Sequence, residues 1–97
     1  MRLPKQELYE EGSQLRRSSK AVSSLIIEGY GRRRYKNDYV NHLVYSHAEC
    51  DETIFHIEML LETRSSSDAE ELNCLKSEYQ SVSRRINSFI RWVEENL

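Results

Sequence analysis

The sequence predicts an all-α protein, an up-down antiparallel helical bundle with three long helices per chain in a single domain, residues 1–97. Residues that break helices are scarce, because the chain has only three glycines and one proline. Apolar residues recur at alternating steps of three and four, which places them on one face of a helix. Short links between such segments favour antiparallel neighbours, so we expect a bundle about 40 Å long.

The first helix is expected over residues 5–29. Its apolar spacing includes two small residues that would let another helix approach closely, in the series Leu8, Gly12, Leu15, Ser19, Val22 and Ile26. Pro4 suits a first helical turn. The segment EGYG predicts a helix end at which glycines adopt left-handed dihedral angles.

The second helix is expected over residues 37–63, after a loop at 30–36, with Asn37 and Asp38 as capping and dipole residues. Its apolar face contains Val40, Leu43, His47, Cys50, Ile54, Ile57 and Leu61. A loop at 64–67, in the segment RSSSDAEE, precedes a third helix at 68–96 whose first turn its Ser and Asp residues can cap. This helix has the most regular face of the three: Leu72, Leu75, Tyr79, Val82, Ile86, Phe89 and Val93.

Further apolar residues lie beside these faces and make them wider than a three-helix monomer needs: Leu25, Ile27, Val44, Phe55 and Ile90. We therefore expect a homo-oligomer. No membrane-spanning segment and no secretory signal is recognisable, which predicts a cytoplasmic protein. Cys50 and Cys74 are expected to be free thiols, and we expect no cofactor.

The charge distribution is uneven. Residues 1–48 contain nine Lys or Arg and five Asp or Glu, whereas residues 49–97 contain five and eleven. Basic residues cluster in the first loop between Tyr30 and Tyr35, and three more precede it on the first helix; the whole set is Arg16, Arg17, Lys20, Arg32, Arg33, Arg34 and Lys36. Basic and aromatic side chains together can bind phosphates and stack bases. The same charges can instead pair with acidic residues of a neighbouring subunit.

The sequence offers little for catalysis. Histidine, cysteine and acidic residues crowd the second helix, at His47, Glu49, Cys50, Asp51, Glu52 and His56, but their spacing differs from that of carboxylate-bridged metal bundles. Serine and cysteine residues lie on helices without the strand-turn-helix elbow of a nucleophile. We expect no enzyme and assign no metal ligands or catalytic residues.

Three segments together carry a family resemblance: SSLIIEGYGRRRYKNDYVNHL, AECDETIFHIEMLLETRS and INSFIRWVEE. The chain resembles the four-helix-bundle family of the 23S rRNA intervening-sequence proteins, to which the accessory variability determinant of diversity-generating retroelements is related. The resemblance implies pentameric rings and, in the related branch, a basic ring that binds a reverse transcriptase and RNA. The family's first helix precedes the position of Leu3 and Pro4, so this chain either starts late or keeps three of four helices.

The leading hypothesis is a non-enzymatic oligomeric helical scaffold or adaptor that presents its basic loop to RNA or to a protein associated with nucleic acid. The first alternative is a structural protein-protein interaction module that binds no nucleic acid. A metal site formed by carboxylates and histidine in the bundle is the third.

Overall fold

The computed structural model describes residues 5–63 and 66–97, and side chains from residues 10–63 and 69–97. In these ranges the chain forms three helices and no strand: α1 (Lys5–Gly31), α2 (Lys36–Leu61) and α3 (Ser66–Asn96). The helix ends differ from the sequence expectations by two residues at most. Pro4, residues 64 and 65 and the side chains that could cap α3 lie outside the described part. The all-α fold is confirmed.

Helix α2 is the central element of the fold. It packs against α1 and against α3, whereas the described parts of α1 and α3 have no pair of Cα atoms within 8 Å of each other. The molecule is elongated, with extents of 47 × 22 × 16 Å. Two helices thus flank a third, and a groove with α2 at its base stays open between α1 and α3.

The apolar core lies where α3 and part of α1 meet α2. Its buried members are Val22, Tyr39, Leu43, Cys50, Ile86, Ile90 and Val93. The regular face of α3 is confirmed at Ile86 and Val93, but Phe89 remains 41% exposed whereas Ile90, expected beside that face, is buried. Because α3 has one neighbouring helix, it buries a narrower face than its sequence offers.

The interface between α1 and α2 is polar, which the apolar spacing did not predict. Ser18, Ser46 and Thr53 are fully buried. The Ser46 hydroxyl donates to the carbonyl oxygen of Val22 at 2.8 Å, and the Thr53 hydroxyl lies 2.9 Å from that of Ser18. The buried face of α2 differs from the face that the apolar spacing predicts, because α2 packs against a helix on each of two sides. Val40 and Ile54, expected on that face, are only partly buried.

Glycine at position 29 serves a close approach of helices and not a left-handed turn. Among described residues no glycine has a positive φ, and α1 continues to Gly31, so the expectation for the EGYG segment was wrong. A Cβ atom at residue 29 would lie 2.9 Å from the Cβ of His42 and 3.3 Å from Cδ1 of Tyr39. The cap of α2 also differs, because Tyr35 takes the N-cap position without a side-chain hydrogen bond and Asp38 lies in the first turn.

Both cysteines are free, as expected. Cys50 is buried in the core, and burial, with a smaller contribution from Asp51, raises the pKa of its thiol to about 11. Cys74 is exposed on α3. Within the described ranges, no helix is both long enough and apolar enough to cross a membrane.

Candidate nucleic-acid interface

The loop between α1 and α2 holds its arginines against aromatic rings. The Arg33 guanidinium lies 4.0 Å from the centre of the Tyr30 ring, and its Nη1 donates to the Tyr30 carbonyl oxygen at 2.9 Å. The Arg34 guanidinium lies 5.9 Å from the Tyr35 ring. Both tyrosines are more than half exposed. These contacts orient two cations while leaving them accessible to an anion.

Polar contacts also link both ends of the loop to helices. Arg32 lies 3.8 Å from the Asp38 carboxylate, in the first turn of α2. The Lys36 ammonium donates to the carbonyl oxygen of Glu94 at 2.8 Å, in the last turn of α3. The basic loop and the carboxyl end of α3 therefore form one end of the molecule, which we call the loop end.

The three basic residues earlier on α1 are not gathered at this loop. Arg17 binds across to α2, with Nη2 2.9 Å from the Glu52 carboxylate and Nη1 3.8 Å from that of Glu49. Arg16 and Lys20 are exposed on α1. At 1.5 Å per residue, Lys20 lies about 18 Å along the helix axis from Arg32. The structure therefore brings together Arg32, Arg33, Arg34 and Lys36 and leaves Arg16, Arg17 and Lys20 apart.

The structure adds basic residues that counting along the chain did not predict. Arg84, Arg85 and Arg91 are exposed on α3, in its half nearer the loop end, and form no ion pair with the described residues. The segments that form this half of the molecule, 20–47 and 80–97, contain eight Lys or Arg and four Asp or Glu. The described side chains of the opposite half, at 10–19, 48–63 and 69–79, contain three Lys or Arg and ten Asp or Glu. An antiparallel fold brings distant parts of the sequence together. Counting charges in residues 1–48 and 49–97 therefore did not reveal which end of the molecule is basic.

Acidic and histidine residues away from the loop end stabilise contacts between helices. His56 contacts the Glu11 carboxylate through Nδ1, while its Nε2 lies 3.6 Å from Glu52. Buried polar atoms without a hydrogen-bond partner here are His56 Nε2 and Glu49 Oε2. On the other side of α2, the Ser83 hydroxyl lies 3.0 Å from His47.

Across the described residues no set of three or more histidine, cysteine or acidic side chains is arranged to hold a metal ion. Two of the carboxylates considered for such a site, Glu49 and Glu52, face the Arg17 guanidinium. A third, Asp51, lies 3.3 Å from the Ser83 hydroxyl. Through these contacts Glu49 and Glu52 link α2 to α1, and Asp51 links α2 to α3.

Comparison with known families agrees with the features described above. The model of the family described as 23S rRNA-intervening sequence protein matches residues 1–88, which include α1, α2 and most of α3. This chain belongs to the 23S rRNA-intervening sequence protein family. No match is found among curated proteins or among solved structures. The family resemblance is thereby confirmed. The first two of the three segments lie within the matched region, as does the basic loop, whereas INSFIRWVEE at 86–95 lies mostly beyond it.

Proposed function

We propose that this member of the 23S rRNA-intervening sequence protein family is a non-enzymatic helical scaffold that self-associates and presents its basic loop to RNA. The observation that carries the proposal is the charge of the loop end, where Arg33 and Arg34 lie over tyrosine rings and face solvent. Arginine binds phosphate oxygens through two parallel hydrogen bonds, and exposed tyrosines can stack bases.

Self-association is supported by apolar surface that a single chain leaves open. Ile27, Val44 and Phe55 are 71%, 45% and 55% exposed. An open groove of about 270 Å³ between α1 and α3 is lined by Ile26, Leu43, Val82, Arg85, Ile86 and Phe89. Exposed apolar side chains beside an open apolar groove are typical of interfaces between subunits. The family resemblance suggests a pentamer.

The alternative is a structural interaction module that binds no nucleic acid. It is favoured by the acidic excess at the end of the molecule opposite the basic loop. In that arrangement the loop of one copy would pair with carboxylates of the next, and the arginines would stabilise the assembly. Loss of the loop arginines would lower RNA affinity under the first function, whereas it would weaken the assembly under the second.

The test is the salt dependence of binding to a fluorescent single-stranded oligoribonucleotide. The double variant Arg33→Ala with Arg34→Ala removes two loop cations. Its matched control, Arg16→Ala with Lys20→Ala, removes the same charge from exposed positions on α1. We expect the loop variant to lower affinity about tenfold at low salt and to reduce the slope of log K against log salt by about 1.4.

The control variant should bind RNA almost as the unchanged protein does. Equal losses in the two variants would contradict a role for the loop itself. Absence of RNA binding at low salt would contradict the proposal. If the loop variant also dissociated the assembly, the structural module would be the better account.

A further inference from the structure

The loop end has a second surface, on α3, which is separate from the basic loop. A shallow depression of about 510 Å³ on the outer side of α3 is lined by Ser81, Arg84, Arg85, Ser88, Phe89 and Trp92. The Phe89 and Trp92 rings stack, with centres 5.9 Å apart and planes inclined by 5°. They remain 41% and 50% exposed. Two large aromatic side chains thus stack on each other at the surface, where both stay partly exposed.

This aromatic stack adjoins the basic loop. Phe89 meets Tyr39 edge to face, with ring centres 6.0 Å apart and planes inclined by 75°, and Tyr39 lies in the first turn of α2. Lys36, at the start of that helix, donates to the carbonyl oxygen of Glu94. These contacts place the aromatic stack and the basic loop at the same end of the molecule.

Two cations flank the aromatic stack. Arg84 and Arg85 line the depression, are exposed, and have no acidic partner among the described residues. A guanidinium without an acidic partner is free to bind a phosphate group. Aromatic faces with neighbouring cations are the components of proteins that bind single-stranded nucleic acids.

We propose that Trp92, supported by the Phe89 ring stacked on it, forms with Arg84 a base-stacking platform for single-stranded RNA at the same end of the molecule as the basic loop. Arg85 and Phe89 also line the groove between α1 and α3, which we assign to subunit contacts, so the platform depends on Trp92 and Arg84. This inference rests on the proposed function, since the loop supplies the first phosphate contacts. It narrows the ligand to single strands, because the bases of a duplex are already stacked on each other and cannot place a face on Trp92. Stacking accepts any base, so we expect little sequence preference.

The fluorescence of Trp92 gives a direct test, because it is the only tryptophan in the chain. Titration of the full chain with oligouridylate at low salt should quench this fluorescence, reach saturation and lose the effect as salt is added. A duplex of the same length should bind through the loop and leave the tryptophan signal unchanged. A saturable signal from single strands alone supports the platform.

Variants separate stacking from charge. Trp92→Leu should lower the affinity for oligouridylate about tenfold and leave duplex binding unchanged, whereas Trp92→Phe should retain most of the affinity. The matched control is Tyr45→Leu, since Tyr45 is 58% exposed on α2 and lines neither the depression nor the groove. That variant should bind both RNAs as the unchanged protein does. Circular dichroism melts would show that the three variants are folded.

The outcomes distinguish this inference from the proposed function. The platform would be overturned if the loop variant lost RNA binding while Trp92→Leu bound normally and the fluorescence of Trp92 did not change on titration. The role of the loop would then remain intact. No binding of either RNA at low salt would overturn both. Tryptophan fluorescence that changes with protein concentration alone, with dissociation of the assembly in Trp92→Leu, would identify the surface as a subunit contact and overturn the platform.

Discussion

The two interfaces of α2 are built in different ways. Against α3 it buries apolar side chains, among them Leu43, Ile90 and Val93. Against α1 it buries hydroxyl groups in hydrogen bonds and allows the backbones to approach at Gly29. An apolar interface tolerates rotation and sliding, whereas buried hydrogen bonds and a close approach permit few arrangements. We infer that the α1 contact fixes the geometry of the loop end and the α3 contact supplies most of the hydrophobic stabilisation.

The largest effect is expected from a cavity in the apolar core. Ile90→Ala should lower the free energy of unfolding by about 3 kcal/mol, because a buried side chain is lost and the surrounding structure closes only in part. The matched change Ile27→Ala, at a position 71% exposed, should have little effect in dilute protein. Urea denaturation followed by circular dichroism measures both, and equal losses would show that α3 packs otherwise than described.

A smaller effect is expected where α1 and α2 approach each other. Gly29→Ala should destabilise the fold by about 1–3 kcal/mol, since the new Cβ would overlap His42 and Tyr39. Gly31→Ala is the matched control, with no atom within 4 Å of its Cβ position. It should be neutral, or stabilising by up to about 1 kcal/mol through better helix propensity. The reverse order of melting temperatures would refute the close approach.

Removing one buried hydrogen bond should have a milder effect. Ser46→Ala leaves the carbonyl oxygen of Val22 without its buried donor and should cost about 1 kcal/mol. Ser24→Ala, at an exposed position of the same two-helix region, should change stability by less than about 0.5 kcal/mol. Urea midpoints compare the two. An unchanged stability in Ser46→Ala would mean that water or another donor replaces the hydroxyl.

The two thiols should differ in reactivity. Thiolate is the reactive form, so exposed Cys74 should react with a disulfide reagent at pH 8, while Cys50, buried and with its pKa raised to about 11, reacts only on unfolding. Because the pKa of Cys50 is higher in the folded state, the protonated thiol contributes to the free energy of unfolding below pH 9. This contribution is lost as the pH rises from 9 towards 11. Two fast-reacting thiols in native protein would contradict the burial of Cys50.

The sequence predicted the apolar interface better than the polar one. Regular spacing placed Ile86 and Val93 on a buried face, because burial of apolar residues is what such spacing reports. Ser18, Ser46 and Thr53 gave no such signal, since serine and threonine are usually exposed and only the neighbouring helix shows their hydrogen bonds. The family resemblance agrees with the fold class that the apolar spacing predicts, but it did not indicate this polar interface.

The candidate site was predicted in part. The basic run from Arg32 to Lys36 is visible in the sequence because its residues are adjacent. Arg84 and Arg85 belong to the same end of the molecule only through the antiparallel return of α3. Arg17 was grouped with the loop by its charge, yet it pairs with α2 because its helix position faces Glu52. The sequence shows which residues carry a positive charge. Which of them lie together depends on the direction in which each position of the helix faces.

A lone chain leaves an apolar groove between α1 and α3, and we propose that copies of the chain cover it. Sedimentation velocity over a hundredfold range of protein concentration tests this claim most directly. We expect assemblies whose mass is a multiple of 11.5 kDa and which dissociate on dilution. A single species of 11.5 kDa at the highest concentration, with the chain fully folded, would contradict the account.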